Sequence, residues 1–147
     1  MKVVIQRCKY GSVSVDGKLI NEINKGFVVL AGFHVTDTEE DINYIVKKII
    51  NLRVFDDENG VMNKNIIDAG GEILSISQFT LQAVTKDGNR PSWNEAMKGD
   101  EAIKLYEIFN QKLNDGVKTY GGVFGAEMLV KIDNDGPVTI IIDSKNK

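Results

Sequence analysis

The chain has 147 residues, 42% of them hydrophobic and 27% charged, a balance that suits one globular domain and lies outside the range of disordered chains. Eighteen Lys and Arg against 21 Asp and Glu give a formal charge of -3, which excludes an all-over cationic coat for nucleic acid but not a local basic patch. A single Cys (Cys8) and a single His (His34) exclude an internal disulfide framework and any metal site built from those two residue types alone.

Val3, Val4 and Ile5 are too short a run for a signal-peptide core. The longest apolar stretch, residues 27–33, falls far below the roughly 20 residues that cross a bilayer, so a soluble cytoplasmic protein is expected. Residues 2–8 are dense in β-branched side chains and read as a strand. Ser12-Val13-Ser14-Val15 alternates with period two and turns at Asp16-Gly17 into Leu19-Ile20. Residues 26–33 are apolar without a break, the signature of a central strand.

The period changes after Thr38. Ile42, Ile45, Val46, Ile49 and Leu52 fall three and four apart, which predicts a helix capped by Thr38 with Glu39, Glu40 and Asp41 in its first turn. Arg53-Val54-Phe55 reads as a short strand closed by the Asn59-Gly60 turn, and residues 72–81 as a buried strand. Residues 82–99 follow neither period and read as a long surface loop. Asp100 is expected to cap a second helix with the stripe Ala102, Leu105, Tyr106, Phe109 and Leu113, ending at Asp115-Gly116. Strands at about 117–124 and 128–134, a turn at Asn134-Asp135-Gly136-Pro137 and a last strand over 138–143 complete the chain. This order predicts a single α+β domain over residues 1–147, its helices packed outside a curled sheet.

Little in the chain can act as a nucleophile with a base. His34 ends an apolar strand, where a structural or surface role is expected, and Cys8 reads as a small core residue. There is no phosphate-binding glycine loop, no dinucleotide fingerprint and no cluster with metal-ligand spacing, so neither cofactor nor metal is expected. Two segments stand out. Ser77-Gln78-Phe79-Thr80 puts three polar side chains at the end of a buried strand, where they need partners or face a ligand. Gly136-Pro137 lies between two strands as either an ordinary turn or a cis peptide.

Ser77-Gln78-Phe79-Thr80-Leu81 together with Asn134-Asp135-Gly136-Pro137-Val138-Thr139 resembles the D-aminoacyl-tRNA deacylase family, of the D-tyrosyl-tRNA deacylase type. Met1-Lys2-Val3-Val4-Ile5-Gln6-Arg7, Asn51-Leu52-Arg53-Val54-Phe55, Arg90-Pro91-Ser92 and Phe124-Gly125-Ala126-Glu127-Met128 are similar too, in the family's order. Trp93 departs from the Phe usual at its position, and Cys8 and Tyr10 vary the first strand.

The resemblance implies a homodimer of barrel-like α+β subunits that hydrolyses the ester joining a D-amino acid, or glycine, to the 3′ end of tRNA, with no membrane partner. It implies that Gly136-Pro137 is a Gly-cisPro element reaching into the partner's pocket, its carbonyls turned to the α-carbon so that an L side chain collides with them. Arg7 would hold that segment, Asn134 would shape its turn, and Met128 would line the pocket or simply fill core. Ser77 would contact substrate, while Gln78, Phe79 and Thr80 form the candidate catalytic set. Thr80 lacks an evident base, so hydrolysis assisted by the ribose 2′-hydroxyl, with the Phe79 N–H as oxyanion donor, is the expected route. Lys86, Arg90 and Lys98 are candidates for phosphate contact or an ordinary solvated loop. A non-catalytic RNA-binding scaffold and an esterase using Thr80 directly are the alternatives.

Overall fold

Fourteen consecutive residues, Lys2–Val15, form one strand, β1, where the residue pattern suggested two. The computed structural model describes residues 1–147. Strand β1 pairs antiparallel with β2 (Lys18–Ile23) across the Asp16-Gly17 turn and with β3 (Gly26–Gly32). On its other edge it pairs along most of its length with β8 (Leu129–Asp143). Strand β3 runs parallel to β6 (Glu72–Ser77), which runs parallel to β7 (Thr119–Gly121). The order β2-β1-β3-β6-β7, with β8 on β1, makes a nearly closed, barrel-like mixed sheet. A two-stranded ribbon of β4 (Phe55–Asp56) and β5 (Met62–Lys64) stands apart from it.

The parallel pairs require long crossovers, and the two helices supply them. Helix α1 (Glu39–Asn51) follows β3, and its stripe Ile42, Ile45, Val46 and Ile49 is buried as the three-and-four spacing predicts. Thr38 is its N-cap, and the Asp41 carboxylate accepts the Thr38 N–H at 2.9 Å. Helix α2 (Gly99–Gly116) follows β6 and buries Ala102, Tyr106, Phe109 and Leu113. Its N-cap is Lys98 rather than Asp100, which instead sits in the first turn, where its charge favours the helix dipole.

Both helices cover one face of the sheet, and Phe27, Val29 and Ile73 meet them in the larger core. On the other face, enclosed by the curl, Val28, Leu74 and Ile76 pack with Cys8, Val13 and Ile23. Strand β3 is apolar throughout because both of its faces are covered, as in other parallel-paired strands. No helix is long and apolar enough to cross a membrane.

The carboxyl-terminal end differs from expectation. Only Thr119–Gly121 is strand in the first predicted segment, and the predicted turn at 134–137 lies inside one 15-residue strand. Pairing with β1 decides this. Cys8 faces Asn134 and Gln6 faces Thr139, so one residue of β1, Arg7, lies opposite four of β8. The extra residues, Asp135–Val138, bulge out of the ladder instead of ending it.

Candidate functional site

Strand β6 is buried from Ile73 to Ile76 and leaves the sheet at Ser77. The Gln78 N–H donates to the Ala31 carbonyl at 2.7 Å, and the chain then turns into one 3₁₀ turn, Phe79–Gln82. Expected as strand, these residues are helical because β3 ends beside them and offers no further ladder partners. Gly32, the last residue of β3, lets the turn sit close: a Cβ there would stand 2.7 Å from the Gln78 carbonyl oxygen and 2.9 Å from the Leu81 Cβ. The buried Gln82 amide fastens the far end, donating to the Gly32 carbonyl at 3.0 Å.

The polar side chains of this corner thereby face outward beside a cavity of about 510 Å³. Ser77, Gln78 and Phe79 form one wall and Met128 lies across the cavity, so the fold brings together four of the residues singled out from sequence. Met128 does both things considered for it, since it also packs against the smaller core. Thr80 is exposed on the turn and is not part of the lining. Its hydroxyl accepts a hydrogen bond from the Gln78 amide at 2.6 Å, and no His or carboxylate lies among its hydrogen-bond partners.

No titratable side chain lines the cavity. His34 is taken up locally, its Nδ1 2.8 Å from the Thr36 hydroxyl and its N–H donating to Asp37 at 2.6 Å. Burial, foremost, pushes the Cys8 thiol up to about 11, so it stays protonated and inert at neutral pH.

Arg7, Asn134, Gly136 and Pro137 assemble a second feature outside the cavity of their own chain. The Gly136-Pro137 peptide is cis, and Gly136 has a φ of 116°, a region that favours glycine. Asp135 approaches the buried Arg7 guanidinium, with Oδ2 3.3 Å from Nε. The Arg7 Nη1 donates to the Val54 carbonyl at 2.6 Å and lies 3.5 Å from Asp56, so Arg7 joins the bulge to the β4 region. The Asn134 amide spans the base of the bulge. With the amide oriented so that both of its atoms are satisfied, its nitrogen donates to the Val138 and Arg7 carbonyls at 3.1 and 3.0 Å, and its oxygen accepts from Gln6 Nε2 and the Thr139 hydroxyl at 3.1 and 3.0 Å. Gly136 and Pro137 are exposed at the tip.

The irregular segment 83–98 is ordered by backbone pairing. Val84 and Ser92 exchange two hydrogen bonds at 3.0 and 2.9 Å, pinching residues 85–91 into a tip that carries Lys86 and Arg90. Lys86, Arg90 and Lys98 are exposed and make no ion pair.

Sequence reasoning assigned no role to Phe33, Trp93, Met97 and Phe124, which also line the cavity. Phe124 belongs to a quoted motif and Trp93 follows another, whereas Phe33 at the end of the β3 run and Met97 in the irregular segment have nothing local to mark them.

A family model described as D-Tyr-tRNA(Tyr) deacylase matches residues 4–143. Over 149 aligned positions the chain is 56% identical to the D-aminoacyl-tRNA deacylase of Phocaeicola vulgatus and 54% identical to that of Parabacteroides distasonis, in each case covering 100% of this chain and 99% of the relative. Among solved structures, the c-Myc DNA Unwinding Element Binding Protein superposes with a TM-score of 0.90 at 42% identity, over 97% of this chain and 98% of that one. With a match across nearly the whole sequence, and relatives identical at more than half of their positions, the chain belongs to the D-Tyr-tRNA(Tyr) deacylase family.

Proposed function

We propose that this chain is a D-aminoacyl-tRNA deacylase. It hydrolyses the ester joining a D-amino acid, or a glycine carried by the wrong tRNA, to the tRNA 3′ end, and it acts as a cytoplasmic homodimer. The observation that carries the mechanism is a cavity walled by Ser77, Gln78 and Phe79 and free of titratable side chains. A route through a protein base has no base to use there, whereas the substrate brings the 2′-hydroxyl beside its own ester. Water adds to the ester carbonyl, the oxyanion forms against the Phe79 N–H with Gln78 or Thr80 nearby, and the 3′ oxygen leaves with a proton. One preorganised oxyanion donor of this kind contributes about 3–4 kcal/mol.

Chirality is read across the dimer. Gly136-Pro137 of a second copy enters the cavity mouth with its carbonyls toward the α-carbon; an L side chain meets them, a D side chain points away, and glycine passes. Two features support this reading. The bulge is exposed and lies outside its own chain's cavity, and β8 has β1 as its sole partner. The other edge of β8 is thus open, with Leu129 62% and Ile141 66% exposed, the kind of edge that a second chain covers.

Matched D- and L-tyrosyl-tRNA incubated with substoichiometric protein test the reading, with the same sample examined by sedimentation. Rapid loss of the D ester alone, from a two-chain species, is the expected result. Cleavage of both esters would remove the chiral role of Gly136-Pro137, and cleavage of neither would favour the RNA-binding scaffold.

A further inference from the structure

The one Trp of the chain, Trp93, is held at the cavity wall yet leaves 43% of its surface in water. Its neighbour Phe79 is 56% exposed, and the two rings meet edge to face with centroids 5.1 Å apart at 66°. Two large aromatic side chains left open side by side forgo burial that the core could have used, which marks a surface kept for a partner.

The backbone holds Trp93 firmly. On one side Ser92 exchanges both of its backbone hydrogen bonds with Val84, and on the other the Met97 N–H donates to the Phe33 carbonyl at 3.0 Å. The Trp93 carbonyl itself accepts the Ala96 N–H at 3.0 Å. A rigidly mounted, half-exposed indole beside a second aromatic ring suits a flat π-system. The surroundings indicate its charge. Lys86 and Arg90 flank Asp87 on the tip that Val84 and Ser92 pinch off and Lys98 follows a few residues later, so three cations stand against Asp87 and Glu95 on this segment and none of the three has an acidic partner. Unpaired cations on the same segment as an exposed aromatic ring are a combination by which proteins hold single-stranded nucleic acid.

We infer that Trp93 is a nucleobase-stacking residue whose indole packs against an unpaired base of the tRNA 3′ end and seats the ester in the cavity. The inference rests on the deacylase reading for the identity of the RNA. Phe79 braces the ring from the side, and the cations of the 84–98 segment take the phosphates that follow.

Because Trp93 is the sole Trp, tryptophan emission comes from this site alone. Titration with the trinucleotide CCA and with uncharged tRNA is expected to quench it saturably. Trp93→Ala is expected to raise KM for D-tyrosyl-tRNA by about 5- to 150-fold, the range that stacking on one base corresponds to, with kcat within about twofold of the parent. Trp93→Phe should recover most of the loss, which also guards against misfolding of the Ala variant. An unchanged KM in Trp93→Ala, or emission that follows protein concentration and ignores RNA, overturns the inference; the latter would mean that a second copy covers the ring. Quenching by CCA in a protein that cleaves no D-tyrosyl-tRNA would support the stacking role while removing the deacylase reading.

Discussion

Thr80 carries the one hydroxyl on the turn Phe79–Gln82, and its side-chain partner is the Gln78 amide, a donor that cannot take its proton. An alcohol without a base is a weak nucleophile. Thr80→Ala is therefore expected to keep most of its single-turnover deacylation of D-tyrosyl-tRNA. Complete loss with normal tRNA binding would assign Thr80 a chemical role and revive the direct-esterase alternative. Cys8 illustrates the same residue-level logic from the opposite side: a thiol pushed up to about 11 by burial is a piece of the smaller core, as its strand position suggested.

Between elements, the decisive contact is the end of β3 against the turn after β6. Gly32 has space for a hydrogen where the Gln78 carbonyl and Leu81 press against it. Gly32→Ala must displace Ser77-Gln78-Phe79 from the cavity wall, and misplacement approaching 1 Å costs about 10²-fold in rate. The variant should remain folded by circular dichroism while kcat/KM falls steeply; full activity would show that the turn is not held by this approach. A second junction ties the start of α1 to the end of β8. Burial alone would raise the Asp41 carboxyl, but the Thr38 N–H, the Ser144 hydroxyl and Lys145 outweigh it and hold it at about 2 against an ordinary 3.8. A depressed carboxyl contributes stability above its unfolded value and loses it as pH falls through its folded value. Asp41→Asn should lower Tm at pH 7 by about 2–4 °C, corresponding to about 1 kcal/mol after solvent screening. The gap to the parent should narrow between pH 4 and pH 2, and a constant gap would show that the charge is not the source.

At the scale of the whole molecule, a net charge of -3 must still admit a polyanion. Local field decides such encounters, and the cations at Lys86, Arg90 and Lys98 are grouped on one segment beside the cavity. KM for D-tyrosyl-tRNA should rise with salt. Arg90→Ala should reduce the slope of log affinity against log salt by about 0.7–0.9 if Arg90 neutralises one phosphate. An unchanged slope would return Arg90 to the solvated-loop reading. The open edge of β8 belongs to this scale too, because one chain alone leaves both the edge and the Gly136-Pro137 tip uncovered.

Both helices, the Asp16-Gly17 hairpin and the two-sided burial of β3 were legible in the residue order, since periodicity, caps and turn chemistry act over a few neighbours. The inventory of one His and one Cys likewise excluded most nucleophile-and-base pairs without any coordinates. The cavity was not legible beyond Ser77, Gln78, Phe79 and Met128. Phe33, Trp93 and Phe124 reach it from three separate segments, and a cavity is the volume left between elements, which no local pattern encodes. That Asp135–Val138 is a bulge within one strand is not legible locally for the same reason, although the cis Gly136-Pro137 bond agrees with what the resemblance implies. Asn-Asp-Gly-Pro favours a turn locally, but Gln6 pairs with Thr139 and Cys8 with Asn134, contacts spanning most of the chain. Short-range preferences determined the elements, and long-range strand pairing decided where they enclose a site and which residues stand out from it.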